Sequence, residues 1–275
     1  MQRSWAQRIL MGLGMMVLLA RTLAAQELPV TAGETAPSQP APWQNSLGMK
    51  LVPVAETPRL LWCVWETRVS DYRVFVGETK RPWPAVDFKQ GTDHPAVMIS
   101  WEDAKAFCAW LTKKELASGK ITEGMRYRLP KDMEWSLAAG FPEGKPEAGS
   151  QEQILFPWGY DWPPPAGAGN YSPEVGVDRF PYTSPVGSFS PAANGLFDLG
   201  GNAWEWCEDM YNQTADFRIL RGASWRMHNP GDLLVSCRVG NRPAIHLNGY
   251  GFRVVLELKP VPEVKPVQPP SIPRP

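Results

Sequence analysis

The sequence predicts an α+β fold with little regular secondary structure. Two observations carry that expectation. Helical patterns are confined to the chain before Gly140, whereas after Pro142 it breaks into long loops rich in Trp, Gly and Pro, with strand-like runs near the end. Such segregation fits α+β better than a doubly wound α/β chain. The 275 residues also include 13 Trp, 24 Gly and 29 Pro. Each Trp brings a large apolar area and one N–H that needs a partner, and Gly and Pro punctuate regular elements.

Taken in order, MKLVPVA (49–55) and RLLWCVWETRV (59–69) read as strands rich in β-branched and aromatic residues. SDYRVFVGET (70–79) places Tyr72, Phe75 and Val76 on one helical face. PAVMIS (95–100) reads as a short strand. Ser100 then caps a longer helix, with Asp103 in its first turn, Gly119 past its end, and Trp101, Ala104, Phe107, Cys108 and Leu111 as its buried stripe. KDMEWSLAAG (131–140) predicts a third helix whose cap position is Lys131, without a capping hydroxyl. FRILRGASW (217–225) and GFRVVLEL (251–258) read as late strands. No internal repeat is present.

The ends have a different composition. Arg3 and Arg8 precede the apolar run Ile9–Ala20, which is short for a membrane span, and small residues follow in TLAAQ. Residues 1–25 therefore read as a cleaved signal peptide, an uncleaved anchor being the alternative. The mature chain is expected to be secreted or periplasmic, with no stable membrane span. No cysteine follows the apolar run, so a bacterial lipoprotein anchor is not expected. Residues 26–44 read as a Pro/Ala-rich linker, 45–258 as one domain and 259–275 as a Pro-rich tail. A formal net charge of zero argues against a nucleic-acid partner. Cys63, Cys108, Cys207 and Cys237 form no CxxC pair, and their disulfide pairing is open.

Nine segments in order resemble the formylglycine-generating enzyme family, also called sulfatase-modifying factor domains. They are NSLGMKLVPV (45–54), VWETRVSDYRVFV (64–76), HPAVMISWEDAKAFCAWL (94–111), YRLPKDMEWSLAAG (127–140), FPWG (156–159), GNY (169–171), SPVGSFSPAANGLFDLGGNAWEWCEDMY (184–211), LRGASWR (220–226) and GFRVV (251–255). The resemblance implies a variant of the C-type lectin-like fold with bound calcium. It does not by itself supply the activity.

Calcium takes six to eight oxygens from carboxylates and carbonyls. The resemblance implies one calcium held by side chains of Asp198 and Glu205 and carbonyls of Gly201 and Ala203. It implies a second held by Asn170 and Asp178 with carbonyls of Tyr171 and Phe180. From the residues alone, Asp198 and Glu205 could equally bond loop amides.

The family's copper(I) ion lies between two thiolates just after a GGS[YW] motif. Here the motif reads Gly222-Ala223-Ser224-Trp225, and the two positions hold Met227 and Asp232. Neither is a thiolate, so neither copper nor iron is expected. A divergent metal centre would draw on His228, Asp232, Cys237 and His246. The third histidine, His94, reads as structural. Ser224, Trp225, Arg226, Arg238, Asn241 and Arg242 surround the family's substrate groove; Arg238 and Arg242 read equally well as partners of local carboxylates. The leading expectation is a calcium-stabilised, non-catalytic binding or accessory module for a peptide, protein or glycan. The alternatives are a metal-dependent oxidase with a divergent centre, or a structural cell-envelope assembly protein.

Overall fold

A computed structural model describes residues 40–141, 154–212 and 216–259. The chain divides into units 1–38 and 39–275, and all described residues belong to the second. The signal peptide and all of the Pro-rich tail beyond Lys259 lie outside the described residues, as does most of the linker. Among the described residues no helix is long and apolar enough to cross a membrane.

Three helices form where the sequence places them. Helix α1 (Val69–Thr79) starts where the Asp71 carboxylate accepts the Arg68 N–H at 3.0 Å. It ends at Lys80, in the left-handed region at φ 58°. Helix α2 (Trp101–Ala117) is capped reciprocally: Ser100 Oγ accepts the Asp103 N–H, and the Asp103 carboxylate accepts the Ser100 N–H. Its buried face is Ala104, Phe107, Cys108 and Leu111. Helix α3 (Asp132–Ala138) has no capping hydroxyl, but Glu134 still accepts the Lys131 N–H at 2.8 Å.

A five-stranded antiparallel sheet takes β1 (Trp43–Gln44), β2 (Lys50–Pro53), β3 (Leu60–Cys63), β4 (Arg126–Arg128) and β9 (Val255–Glu257), in the order β1-β2-β3-β9-β4. All four residues of β3 are buried. Successive side chains alternate faces, so Leu61 and Cys63 join a core with Tyr72, Phe75, Phe107 and Leu111 of α1 and α2. Leu60 and Trp62 join Trp135, Ala138 and Cys207 on the opposite side. A second sheet takes β5 (Trp204–Met210), β6 (Arg218–Arg221), β7 (Val239–Asn241) and β8 (Tyr250–Gly251), in the order β7-β6-β5-β8, with β5 and β8 parallel.

The fold differs from the sequence reading at four places. Trp43 and Gln44, read as linker, form an edge strand paired with Leu51 and Lys50. PAVMIS makes only an isolated bridge from Pro95 to Arg68, because Met98 adopts φ 59°, which no strand residue can hold. WEWCEDM, read as the end of a loop, is the central strand β5. GFRVVLEL is two strands in two sheets: the chain leaves the second sheet after Gly251 and enters the first at Val255. All four cysteines are free thiols.

Candidate functional site

The crossover between the sheets puts Arg253 at their junction. It is fully buried. Its guanidinium donates to Glu205 Oε1 on β5 at 2.7 Å, to the carbonyls of Cys63 (3.0 Å) and Val64 (2.9 Å) after β3, and to the Phe197 carbonyl at 2.7 Å. Trp135 Nε1 of α3 donates to Glu205 Oε2 at 3.0 Å. One buried ion pair thus ties two sheets, a helix and the loop before β5.

Two further acids stand beside it. Glu66 is fully buried and accepts from the Ala203 N–H at 3.1 Å and Asn202 Nδ2 at 3.0 Å. Burial, with the neighbouring Asp198 and Glu205 charges, holds its carboxyl well above the usual range. Asp198, at φ 55°, accepts the Gly187 N–H at 2.7 Å, and burial pushes it up to about 6. Three carboxyl groups therefore share one guanidinium.

The two loops read as calcium sites offer different donors. Around residues 170–180, Asp178 accepts the N–H groups of Tyr171 (3.0 Å) and Phe180 (2.7 Å), closing the turn. Asn170 donates to the Tyr182 carbonyl and to Asn202 Oδ1, while its own Oδ1 is buried without a donor. An orphaned buried oxygen is costly unless something satisfies it, and a hard cation with oxygen ligands fits that vacancy in bonding. In the loop before β5, Glu205 already has Arg253 and Trp135 as partners. Asp198 and the carbonyls of Gly201 and Ala203 are the oxygens left to a cation there.

The two loops touch directly. Asn170 and Gly201 form a parallel bridge, and the Asn202 N–H donates to the Asn170 carbonyl at 2.8 Å. This contact needs glycine at 200 and 201: a Cβ on Gly200 would sit 2.3 Å from Pro157 Cγ, and one on Gly201 2.4 Å from the Asn170 carbonyl oxygen.

The groove residues divide by role. Ser224 is fully buried, and Arg226 N donates to its Oγ at 3.4 Å. Arg238 pairs with Asp132, which also pairs with the buried Arg221, so Arg238 steadies α3 against the second sheet. Asn241 donates to the Tyr250 hydroxyl at 3.1 Å, and Arg242 is exposed. Arg226 is exposed, and Trp225 is buried beside it. Trp225 lies edge-on to Phe88 (5.6 Å) and Tyr182 (5.2 Å), themselves stacked at 4.6 Å. Arg226 lies over the Trp225 ring and donates to Asn248 Oδ1 at 3.0 Å.

Three of the four candidate metal ligands have separate partners. The His228 imidazole faces Glu174 at 3.7 Å, Asp232 accepts from Asn229 at 3.2 Å, and His246 bonds Asp103 at 2.7 Å. Cys237 is half-buried; burial, with the Asp232 charge, pushes its thiol up. At the two positions assigned to thiolates, Met227 packs half-buried against the main core and Asp232 sits in a 3-10 turn, Pro230–Leu233. This donor set does not fit a copper(I) dithiolate.

Residues 26–258 match the family described as the sulfatase-modifying factor enzyme 1-like domain. The chain belongs to this family. A sulfatase-modifying factor relative from Bos taurus, "Inactive C-alpha-formylglycine-generating enzyme 2", is 33% identical over 186 residues, covering 62% of this chain and 52% of its own. "Formylglycine-generating enzyme" of Thermomonospora curvata is 27% identical over 197 residues, covering 62% of this chain and 58% of its own. The chain spans about half the length of the curated relatives it matches. Among solved structures, "Structure of PvdO from Pseudomonas aeruginosa" superposes with a TM-score of 0.60 at 20% identity, covering 81% of this chain and 100% of that one. That likeness supports the fold: few helices and curled sheets, as in the sulfatase-modifying variant of the C-type lectin-like fold.

Within this sulfatase-modifying domain, sequence reasoning missed Glu66, Asn202 and Arg253. Two left a signal. Glu66 closing LLWCVWE (60–66) and Arg253 in GFRVV (251–255) are single charges in apolar, strand-like runs, and such charges are rarely buried unless paired.

The motif position Ala223 gives a prediction. It is buried at φ 66°, where an L-residue pays about 1–2 kcal/mol. Ala223→Gly loses a buried methyl worth about 0.8 kcal/mol but relieves that strain. Urea denaturation is expected to place it within about 1 kcal/mol of the parent. Ala104→Gly, buried within α2, is expected to lose about 2 kcal/mol. Equal losses for the two would show that Ala223 is unstrained.

Proposed function

We propose that this domain is a non-catalytic, calcium-stabilised binding module of the sulfatase-modifying factor family, exported by its N-terminal segment. Its ligand surface is the aromatic groove of Phe88, Tyr182 and Trp225 with Arg226. One feature supports the reading: Met227 and Asp232 stand where the family resemblance puts the copper thiolates, and neither is a thiolate, while burial pushes the Cys237 thiol up. The "inactive" relative from Bos taurus supports it. Aromatic rings with a fixed Arg suit contact with a peptide or protein ligand.

Two measurements test the proposal. The mature protein incubated with copper(I), oxygen and a sulfatase-derived cysteine peptide is expected to give no aldehyde by mass spectrometry. Conversion, or stoichiometric copper or iron in the purified protein, would overturn the non-catalytic reading. For calcium, Asn170 and Asp178 with the carbonyls of Tyr171 and Phe180 are the better-supported set; in the second set Glu205 is engaged by Arg253 and Trp135, which leaves Asp198 with the carbonyls of Gly201 and Ala203. Calcium there would satisfy Asn170 Oδ1 and balance surplus buried carboxylate charge. Removing it with EGTA is expected to lower the thermal midpoint by several degrees, about the effect of 1–2 kcal/mol. Asn170→Ala should abolish the difference. Equal midpoints in calcium and EGTA would remove calcium from the account.

A further inference from the structure

Beside Trp225 lies a cavity of about 280 Å³ lined by Ala85, Val86, Asp87, Met98, Arg226, His246, Leu247 and Asn248. Its polar groups are fixed from behind. His246 Nε2 bonds Asp103 Oδ2 at 2.7 Å. Asp103 is itself buried and held by Ser100 Oγ and Arg81. Burial alone would raise the Asp103 carboxyl, but the bonds from Ser100, Arg81 and His246 hold it below its usual range, so it is a carboxylate that fixes the ring. The Asp103 carboxylate only accepts, so it selects the tautomer with the proton on Nε2, in which Nδ1 carries the acceptor lone pair. Arg226 is held by Asn248 through Nη1 and by the Trp225 face, leaving Nε and Nη2 for a two-point contact with a carboxylate. The Met98 N–H donates to the Leu247 carbonyl at 3.1 Å, drawing its left-handed backbone into the cavity wall. Strained backbone of this kind is found at ligand sites.

We propose that this cavity binds an amino-acid-sized zwitterion, its carboxylate on Arg226 and its ammonium on His246 Nδ1 and Asp87. The lining holds one cation, one anion and one neutral acceptor, so a ligand with both charges is matched where either half alone is not. The inference rests on the groove reading, since Arg226 belongs to both. It also assigns His246 a role other than metal ligation: Asp103 consumes one ring nitrogen. Among the described residues, no group of three His, Cys, Asp or Glu could hold a metal.

Glycine, acetate and methylammonium are the probes, each titrated into the labelled mature protein at constant ionic strength. The Asn248 side-chain amide and His246 ring resonances report. Glycine is expected to give saturable shifts at about tenfold lower concentration than acetate or methylammonium. Arg226→Ala is expected to abolish the acetate response and weaken glycine about tenfold. Asp87→Asn should weaken glycine and methylammonium but leave acetate unchanged. No saturable glycine shift, glycine no tighter than acetate, or a glycine response indifferent to both variants would overturn the proposal. Capture of a peptide on the Trp225 rings without a glycine response would remove this subsite and keep the binding module. Copper-dependent peptide oxidation would remove the module and leave the glycine titration to decide the subsite.

Discussion

Arg253→Met is expected to destabilise the domain by about 3–5 kcal/mol, the loss seen when one member of a buried ion pair is removed. The side-chain volume is nearly kept, so the cost is electrostatic. Glu205 loses its counter-charge, and the carbonyls of Cys63, Val64 and Phe197 lose their donor. Asp198 makes the deficit worse, because the Arg253 charge also favours its carboxylate. Urea denaturation of the mature protein is the measurement. Arg253→Met combined with Glu205→Met should recover part of the loss, since the double variant leaves no unpaired charge between these two positions. A single-variant loss under about 1 kcal/mol would mean that the pair does not tie the sheets together.

Gly201→Ala carries the second large effect, about 2–5 kcal/mol. Gly201 has φ +86°, so alanine pays about 1–2 kcal/mol for the left-handed conformation. Its Cβ would also lie 2.4 Å from the Asn170 carbonyl oxygen and 3.0 Å from Tyr171 Cε1. That backbone contact cannot yield cheaply, and overpacking adds about 1–3 kcal/mol. Gly195→Ala is the control: φ is +83°, but no atom lies within 4 Å of the added Cβ. It is expected to lose only the conformational part. Equal losses at 195 and 201 would show that the two loops separate at little cost. Because Gly201 packs on Asn170, its alanine variant should also lose the calcium stabilisation proposed above.

The residues on the page explain what was legible. Helices α1 to α3 were visible because their apolar positions repeat at the helical period and their caps are local: Ser100 and Asp103 are three residues apart. The family was visible because nine short segments keep their order. The groove was legible in part: Arg226 is exposed, while its neighbours Ser224 and Trp225 are buried and Arg238 is taken up by Asp132. Strand β5 was hidden because all of its first four residues are buried, which removes the alternation that marks a half-exposed strand. The acids of GLFDLGGNAWEWCEDMY thus read as one loop, although Asp198 lies on a turn and Glu205 on a central strand.

By itself the sequence determined the family, the helices and the fold class, because each is written in local pattern or residue identity. Tertiary structure alone decided the partners. Arg253 meets Glu205 across 48 positions, and His246 meets Asp103 across 143. No periodicity or motif records such a pairing. It follows from the chain crossing between two sheets, where a buried charge must find its counter-charge or remain at a cost the fold cannot carry.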